Sequence, residues 1–151
     1  MKKFRFPLQQ VLEIRDNIEK QRQGEFVAAR QDVSNAEQTF ENMLRLQKGA
    51  VDAYREQQVL NISPHESRYY FDYFCNLELQ MINQLQSITE LKQVAEEKRD
   101  QLLEASQDKL AIEELEKQEK DRYHQLVEKR EQINVDDISA ITYNYKRSLE
   151  R

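Results

Sequence analysis

Apolar residues recur through the first half of the chain at alternating steps of three and four: Phe26, Ala29, Val33, Ala36, Phe40 and Met43, continuing through Gln47, Ala50 and Tyr54. That spacing draws one narrow stripe along an α-helix, the seam of a coiled coil rather than the broad face of a globular helix. Upstream, Val11, Ile14 and Ile18 form a stripe that joins the first through a four-four step at Ile18, Arg22 and Phe26. Such a step predicts a stutter, which locally unwinds a supercoil. Gly24 lies inside it and costs about 1 kcal/mol relative to alanine in a helix interior. The neighbourhood is therefore a candidate weak point, with an incidental surface glycine as the plainer alternative.

A longer register fills the second half. Leu77, Met81, Gln84, Ile88, Leu91, Ala95, Lys98, Leu102, Ala105, Lys109, Ile112, Glu116, Glu119, Tyr123, Leu126, Arg130 and Ile133 keep strict four-three spacing. The seam is apolar as far as Ile112 apart from Gln84, Lys98 and Lys109, and turns polar at Glu116 and Glu119. Glu113 with Lys117, and Glu116 with Lys120, are i,i+4 pairs in the favourable order, each contributing only ~0.2–0.5 kcal/mol.

Between the two registers lies Leu60-Asn61-Ile62-Ser63-Pro64-His65-Glu66. Ser63 suits an N-cap, Pro64 the first helical position, and Glu66 completes a Ser-x-x-Glu capping box. Pro64 also drives Ser63 out of the α region, so a helix arriving from upstream must stop before it. The expected elements are helix one over about 7–60, a turn at 61–63, and helix two over about 64–133. A stop at Asn134-Val135-Asp136-Asp137 would then be followed by a short C-terminal helix over about 137–147. The expected fold is all-α: a long two-helix antiparallel coiled-coil hairpin with unequal arms, forming a single domain over 1–151. At 1.5 Å per residue the arms would be ~80 Å and ~105 Å long. Folded about Ser63, residue 8 lies opposite roughly residue 116, which leaves roughly thirty C-terminal residues overhanging. The alternative is a parallel dimer in which Ser63-Pro64 is a mere kink in a nearly continuous helix.

Composition narrows this further. Of 151 residues 34% are charged and 38% hydrophobic, with two glycines, two prolines and no tryptophan. Such a chain can bury a stripe per helix but not a thick core. The net charge of −5, with both signs interspersed, excludes the clustered lysine and arginine that nucleic-acid phosphates require. Cys75 is the single cysteine, so no internal disulfide forms and a reducing compartment is expected. Met1-Lys2-Lys3-Phe4-Arg5-Phe6-Pro7 lacks the apolar run of a signal peptide, and no stretch approaches the ~18 apolar residues of a membrane span. The chain reads as cytoplasmic, with no direct membrane insertion.

Candidate chemistry is sparse. His65, His124 and Cys75 are too scattered for a metal site of known ligand spacing. Asp136-Asp137 suits a helix N-terminus, and there is neither a phosphate loop nor a nucleophile motif. No catalytic residue, metal or cofactor is expected. Two clusters stand out instead as binding surfaces. Tyr69, Tyr70, Phe71, Tyr73 and Phe74 follow the turn, and three consecutive aromatics cannot all face one seam. Either they plug the tip or some are exposed as anchors for a partner. Tyr54 and Leu77 belong to the same neighbourhood. At the open end Phe4, Phe6 and Leu8 gather with Tyr123, Leu126, Arg130 and Ile133, where a helix face could enter a ring or groove.

The opening Phe4-Arg5-Phe6-Pro7-Leu8-Gln9-Gln10-Val11-Leu12-Glu13-Ile14-Arg15 resembles that of FliJ proteins, soluble stalk components of the bacterial flagellar type III export apparatus. Leu115-Glu116-Lys117-Gln118-Glu119-Lys120-Asp121-Arg122-Tyr123, then Glu128-Lys129-Arg130-Glu131 and Asp136-Asp137, are similar to that family's second helix. The resemblance implies an antiparallel coiled coil like the rotor stalk of F-type and V-type ATPases. It further implies an open end seated in the hexameric export ATPase ring, an engagement with the membrane export gate protein, and an escort role for export chaperones. Carried onto this chain, Phe4, Phe6, Leu8, Arg15, Lys117, Tyr123, Leu126 and Arg130 would face the ATPase. Tyr54, Tyr69, Tyr70, Tyr73, Phe74 and Leu77 would serve the gate. The implied setting is flagellum biogenesis, motility and chemotaxis, in the cytoplasm and peripheral to the inner membrane through the export apparatus. The equivalent stalk of a virulence type III system is the sister reading.

Overall fold

In the computed structural model, which describes residues 4–149 and side chains as far as residue 147, the chain forms two α-helices, α1 (Gln9–Val59) and α2 (Pro64–Leu149). The protein is an all-α helical hairpin. It divides into two compact units, residues 19–104 and residues 4–18 with 105–149.

The first of these contains the reversal. Just past the end of α1, Asn61 takes a left-handed φ of 61°, a conformation that asparagine tolerates better than most side chains. Its N–H donates to the Gln58 carbonyl at 3.3 Å. The capping box then forms in both directions. The Ser63 N–H donates to Glu66 Oε2 at 3.0 Å, and the Glu66 N–H donates to Ser63 Oγ at 3.2 Å. These reciprocal bonds satisfy donors that a helix start leaves without intrahelical partners. The chain doubles back here, which rules out the nearly continuous helix of the parallel-dimer alternative.

Within residues 19–104 the two arms run antiparallel. Lys98 meets Glu25 at 2.9 Å, and Gln84 Nε2 donates to the Ala36 carbonyl at 3.0 Å. Nearer the turn, Tyr54 Oη and Ser67 Oγ lie 3.0 Å apart. Every expected seam residue from Phe26 to Tyr54 is buried or half-buried, as is every one from Leu77 to Leu102. The most deeply buried side chains here are Ala29, Ala36, Leu77, Ile88 and Ala95. Three of the five are alanines, so the helices approach closely and a groove rather than a thick core results. Gln84 is one of the polar seam residues, and its bond to the Ala36 carbonyl satisfies an amide that would otherwise be costly to bury.

In the other unit the same antiparallel sense holds: Arg15 pairs with Asp108 and Asp16 with Lys109, both at 2.8 Å, and Phe4 packs on Tyr123 with ring centroids 5.5 Å apart. Two expectations are corrected here. The half-buried residues of α1 before Phe26 include Leu12, Arg15, Glu19 and Arg22, a three-four series in place of the expected Val11–Ile14 stripe. Ile18 is half-buried beside it, while Val11 and Ile14 face solvent, Ile14 at 58% exposure. Arg15 takes its seam position opposite the oppositely charged Asp108 of α2, while Arg22 donates to Gln101 of α2 and pairs with Glu25 of its own helix, and the aliphatic stems of both cover apolar surface. Gly24 is an ordinary exposed helical residue with open space around it. The second correction concerns the end of the chain. α2 does not stop at Asn134–Asp137 but runs unbroken to Leu149, so there is no separate short C-terminal helix. Asparagine, valine and aspartate are only modest helix formers, and without glycine or proline nothing there ends a helix. On this helix Glu113 approaches Lys109 at 3.8 Å, an i,i+4 pair one turn earlier than the expected partner Lys117.

Candidate functional site

At the turn, the aromatic run divides by helical geometry. Tyr70 and Phe74 continue the inward register of α2 and close on Tyr54, with ring centroids 5.2 and 6.1 Å from it. Leu77 follows one turn on and is only 5% exposed. Tyr54, Tyr70, Phe74 and Leu77 therefore make a plug, fixed laterally by the Tyr54–Ser67 hydroxyl contact. Tyr69, Phe71 and Tyr73 point outward, Tyr69 at 65% exposure. Tyr69 and Tyr73 are four residues apart and share a face with His65, whose ring meets Tyr69 edge-on at 4.9 Å. On another side, Phe71 joins Tyr54, Pro64, Ser67, Arg68 and Phe74 around a shallow pocket of about 330 Å³. Both readings of the cluster thus hold for different members: some rings seal the tip and others offer apolar surface. Val59 and Leu60, exposed in the last turn of α1 and just beyond it, extend that surface. They fall outside the three-four stripe, and that departure was the signal available in the sequence.

At the N-terminal end, Phe6 is 8% exposed and acts as an anchor of the unit, not as free surface. Its carbonyl accepts the Gln9 N–H at 3.3 Å as the chain enters α1. Phe4 and Tyr123 are half-buried against each other. Arg15 is engaged by Asp108 within the chain. Leu8, Lys117, Leu126, Arg130 and Ile133 are exposed. Beyond them all residues from Glu128 to Arg147 are exposed. Val135, Ile138 and Ile141, each three residues from the next, form an unburied apolar strip on the continuing helix, with Ile138 at 64% exposure. The expected break at Asn134–Asp137 had hidden this strip by assigning it to a separate element.

Two carboxylates are held below the ordinary range, Glu25 well below it. Glu25 is lowered from 4.5 to about 2, first by the hydrogen bond from Lys98, then by those from Gln21 and Arg22. Glu66 is lowered by the Ser63 N–H and then by the Ser63 hydroxyl. Both serve structure, one across the helix pair and one at a cap. Among the described residues no group of three or more His, Cys, Asp or Glu side chains could hold a metal ion. No helix among them is long and apolar enough to cross a membrane.

These features define the class: an all-α helical hairpin of coiled-coil type, with a narrow seam and with aromatic and apolar side chains exposed at the turn and along the end of α2. The chain belongs to the flagellar FliJ protein family, whose model matches residues 4–148. No curated protein and no solved structure gives a significant match to it.

Proposed function

We propose that the chain is a non-catalytic stalk component of a flagellar type III protein export apparatus. In this role it enters the hexameric export ATPase ring, promotes ring assembly and hydrolysis, and contacts the membrane export gate protein and export chaperones. Family membership over residues 4–148 is the observation that carries this reading, and it favours the flagellar system over a virulence one. The placement of side chains supports it. A thin seam buries few residues, which leaves outward aromatic and apolar groups at the turn and on the end of α2 for exchangeable contacts.

The ring-facing contacts fall to Leu8, Lys117, Leu126 and Arg130, with Ile133 and the Val135–Ile138–Ile141 strip added. Phe4, Phe6, Arg15 and Tyr123 hold the surface in place. Tyr69 and Tyr73 are the gate-facing contacts, supported by Tyr54, Tyr70, Phe74 and Leu77. The chain hydrolyses nothing itself. It acts through different affinities for different states of the ring, which is all that coupling requires. Its place is the cytoplasmic side of the apparatus, peripheral to the inner membrane. The decisive experiment adds the protein to the hexameric export ATPase and follows hydrolysis and ring assembly. Both are expected to rise, and no change in either would overturn the proposal.

A further inference from the structure

The N-terminal arm, residues 4–18, is held by a different mixture of forces from the hairpin of residues 19–104. Within that hairpin five apolar side chains are buried: Ala29, Ala36, Leu77, Ile88 and Ala95. In the unit that contains the arm the corresponding residues are Phe6 and Ala105. Charge occupies much of the rest of its inward face. Arg15 donates to Asp108 at 2.8 Å with both side chains over 40% exposed, and Lys109 meets Asp16 at 2.8 Å in a more covered position, the side chains 22% and 31% exposed. Glu116 and Glu119 take the next inward positions of α2.

Ion pairs open to water weaken as salt shortens the Debye length, from about 10 Å at 0.1 M to about 3 Å at 1 M, whereas apolar burial is not screened. Segments poor in buried apolar contacts also open at lower free energy than the rest of a fold. We propose that residues 4–18 are a strap latched to α2 by charge, which lets go as ionic strength rises while the hairpin of residues 19–104 stays closed. Release bares Phe6 and Leu12 on the strap and Ala105, Ile112 and Tyr123 on α2. The inference stands apart from the export reading and needs no partner.

Hydrogen exchange of the full chain, followed by mass spectrometry at about 0.1 M and about 1 M sodium chloride, tests it. Amides of residues 12–18 are expected to lose protection by about threefold at the higher salt, the scale of one exposed ion pair and one partly covered one. Amides of residues 29–50 should change far less. A double variant, R15Q with D16N, is expected to exchange in the strap at low salt as the parent does at high salt, and to lose the salt dependence there. Equal salt effects in strap and hairpin would overturn the proposal. So would unchanged strap protection in the parent, or full salt dependence retained in the double variant.

Discussion

Glu25 shows how a single side chain can hold the pair of helices in register. Its Oε2 receives Lys98 Nζ at 2.9 Å from the facing helix and Arg22 Nη1 at 3.0 Å from its own. These partners stabilise the ionised form, so the folded carboxyl titrates near 2 instead of 4.5. A depressed folded value means that the contribution to stability is complete above the unfolded value and is lost as pH falls through the folded one. Thermal unfolding midpoints should therefore decline on acidification between about pH 4.5 and about pH 2, partly through this residue. Glu25→Gln should lower the midpoint at neutral pH and flatten the decline in that window. An identical pH profile in the variant would show that the ion pair contributes nothing. The same residue marks a limit of pattern reading. Like Glu25, Arg15 and Arg22 occupy inward positions that an apolar template passes over, because what admits them is a polar partner across the helix pair, Asp108 for one and Gln101 for the other.

Among the elements, the boundaries of α1 and α2 depend on a few local bonds. Ser63 and Glu66 exchange hydrogen bonds through backbone and side chain, so α2 starts where proline and the box place it. Glu66→Ala should cost about 1 kcal/mol of stability, the usual scale of a lost cap, read from the midpoint shift in urea unfolding. Far-ultraviolet helicity should hold, since the fold does not rest on the cap alone. The end of α1, expected at about residue 60, falls at Val59, although the left-handed φ of Asn61 beyond it was not itself legible, since many turn residues could supply it. The continuity of α2 through Asn134–Asp137 was not legible either. Aspartates and an asparagine are common both at helix starts and in the exposed turns of long helices, and composition does not separate the two.

For the whole molecule, what stays unburied matters as much as what is buried. Residues 131–147 are all exposed, so a variant lacking residues 131–151 should unfold with an unchanged midpoint. On the proposed function it should lose much of its effect on the export ATPase, because Ile133, Val135, Ile138 and Ile141 go with the segment. A lowered midpoint would mean that the segment packs on the chain in solution. Full activity would move the ring-facing contacts back to Leu8, Lys117, Leu126 and Arg130. The surface at the turn is a separate matter, since removing the outward Tyr69 and Tyr73 leaves the Tyr54–Tyr70–Phe74 plug intact.

The residues alone determined the helical class, the place of the reversal and the seam from Phe26 to Tyr54 and from Leu77 to Tyr123. Each follows from spacing, proline geometry and a capping pair, all of which act over a few residues. The resemblance of Phe4–Arg15 to its family was equally visible there, since it depends on the order of residues and not on their packing. Only the tertiary structure decided which rings of the Tyr69–Phe74 run seal the turn and which face water. It also decided that Phe6 is an anchor, that charged residues continue the seam before Phe26, and that the apolar strip beyond Ile133 lies on an unbroken helix. Those outcomes depend on what stands across from each side chain, and in an antiparallel pair that neighbour is fixed by the register of a partner as distant in sequence as Tyr123 is from Phe4.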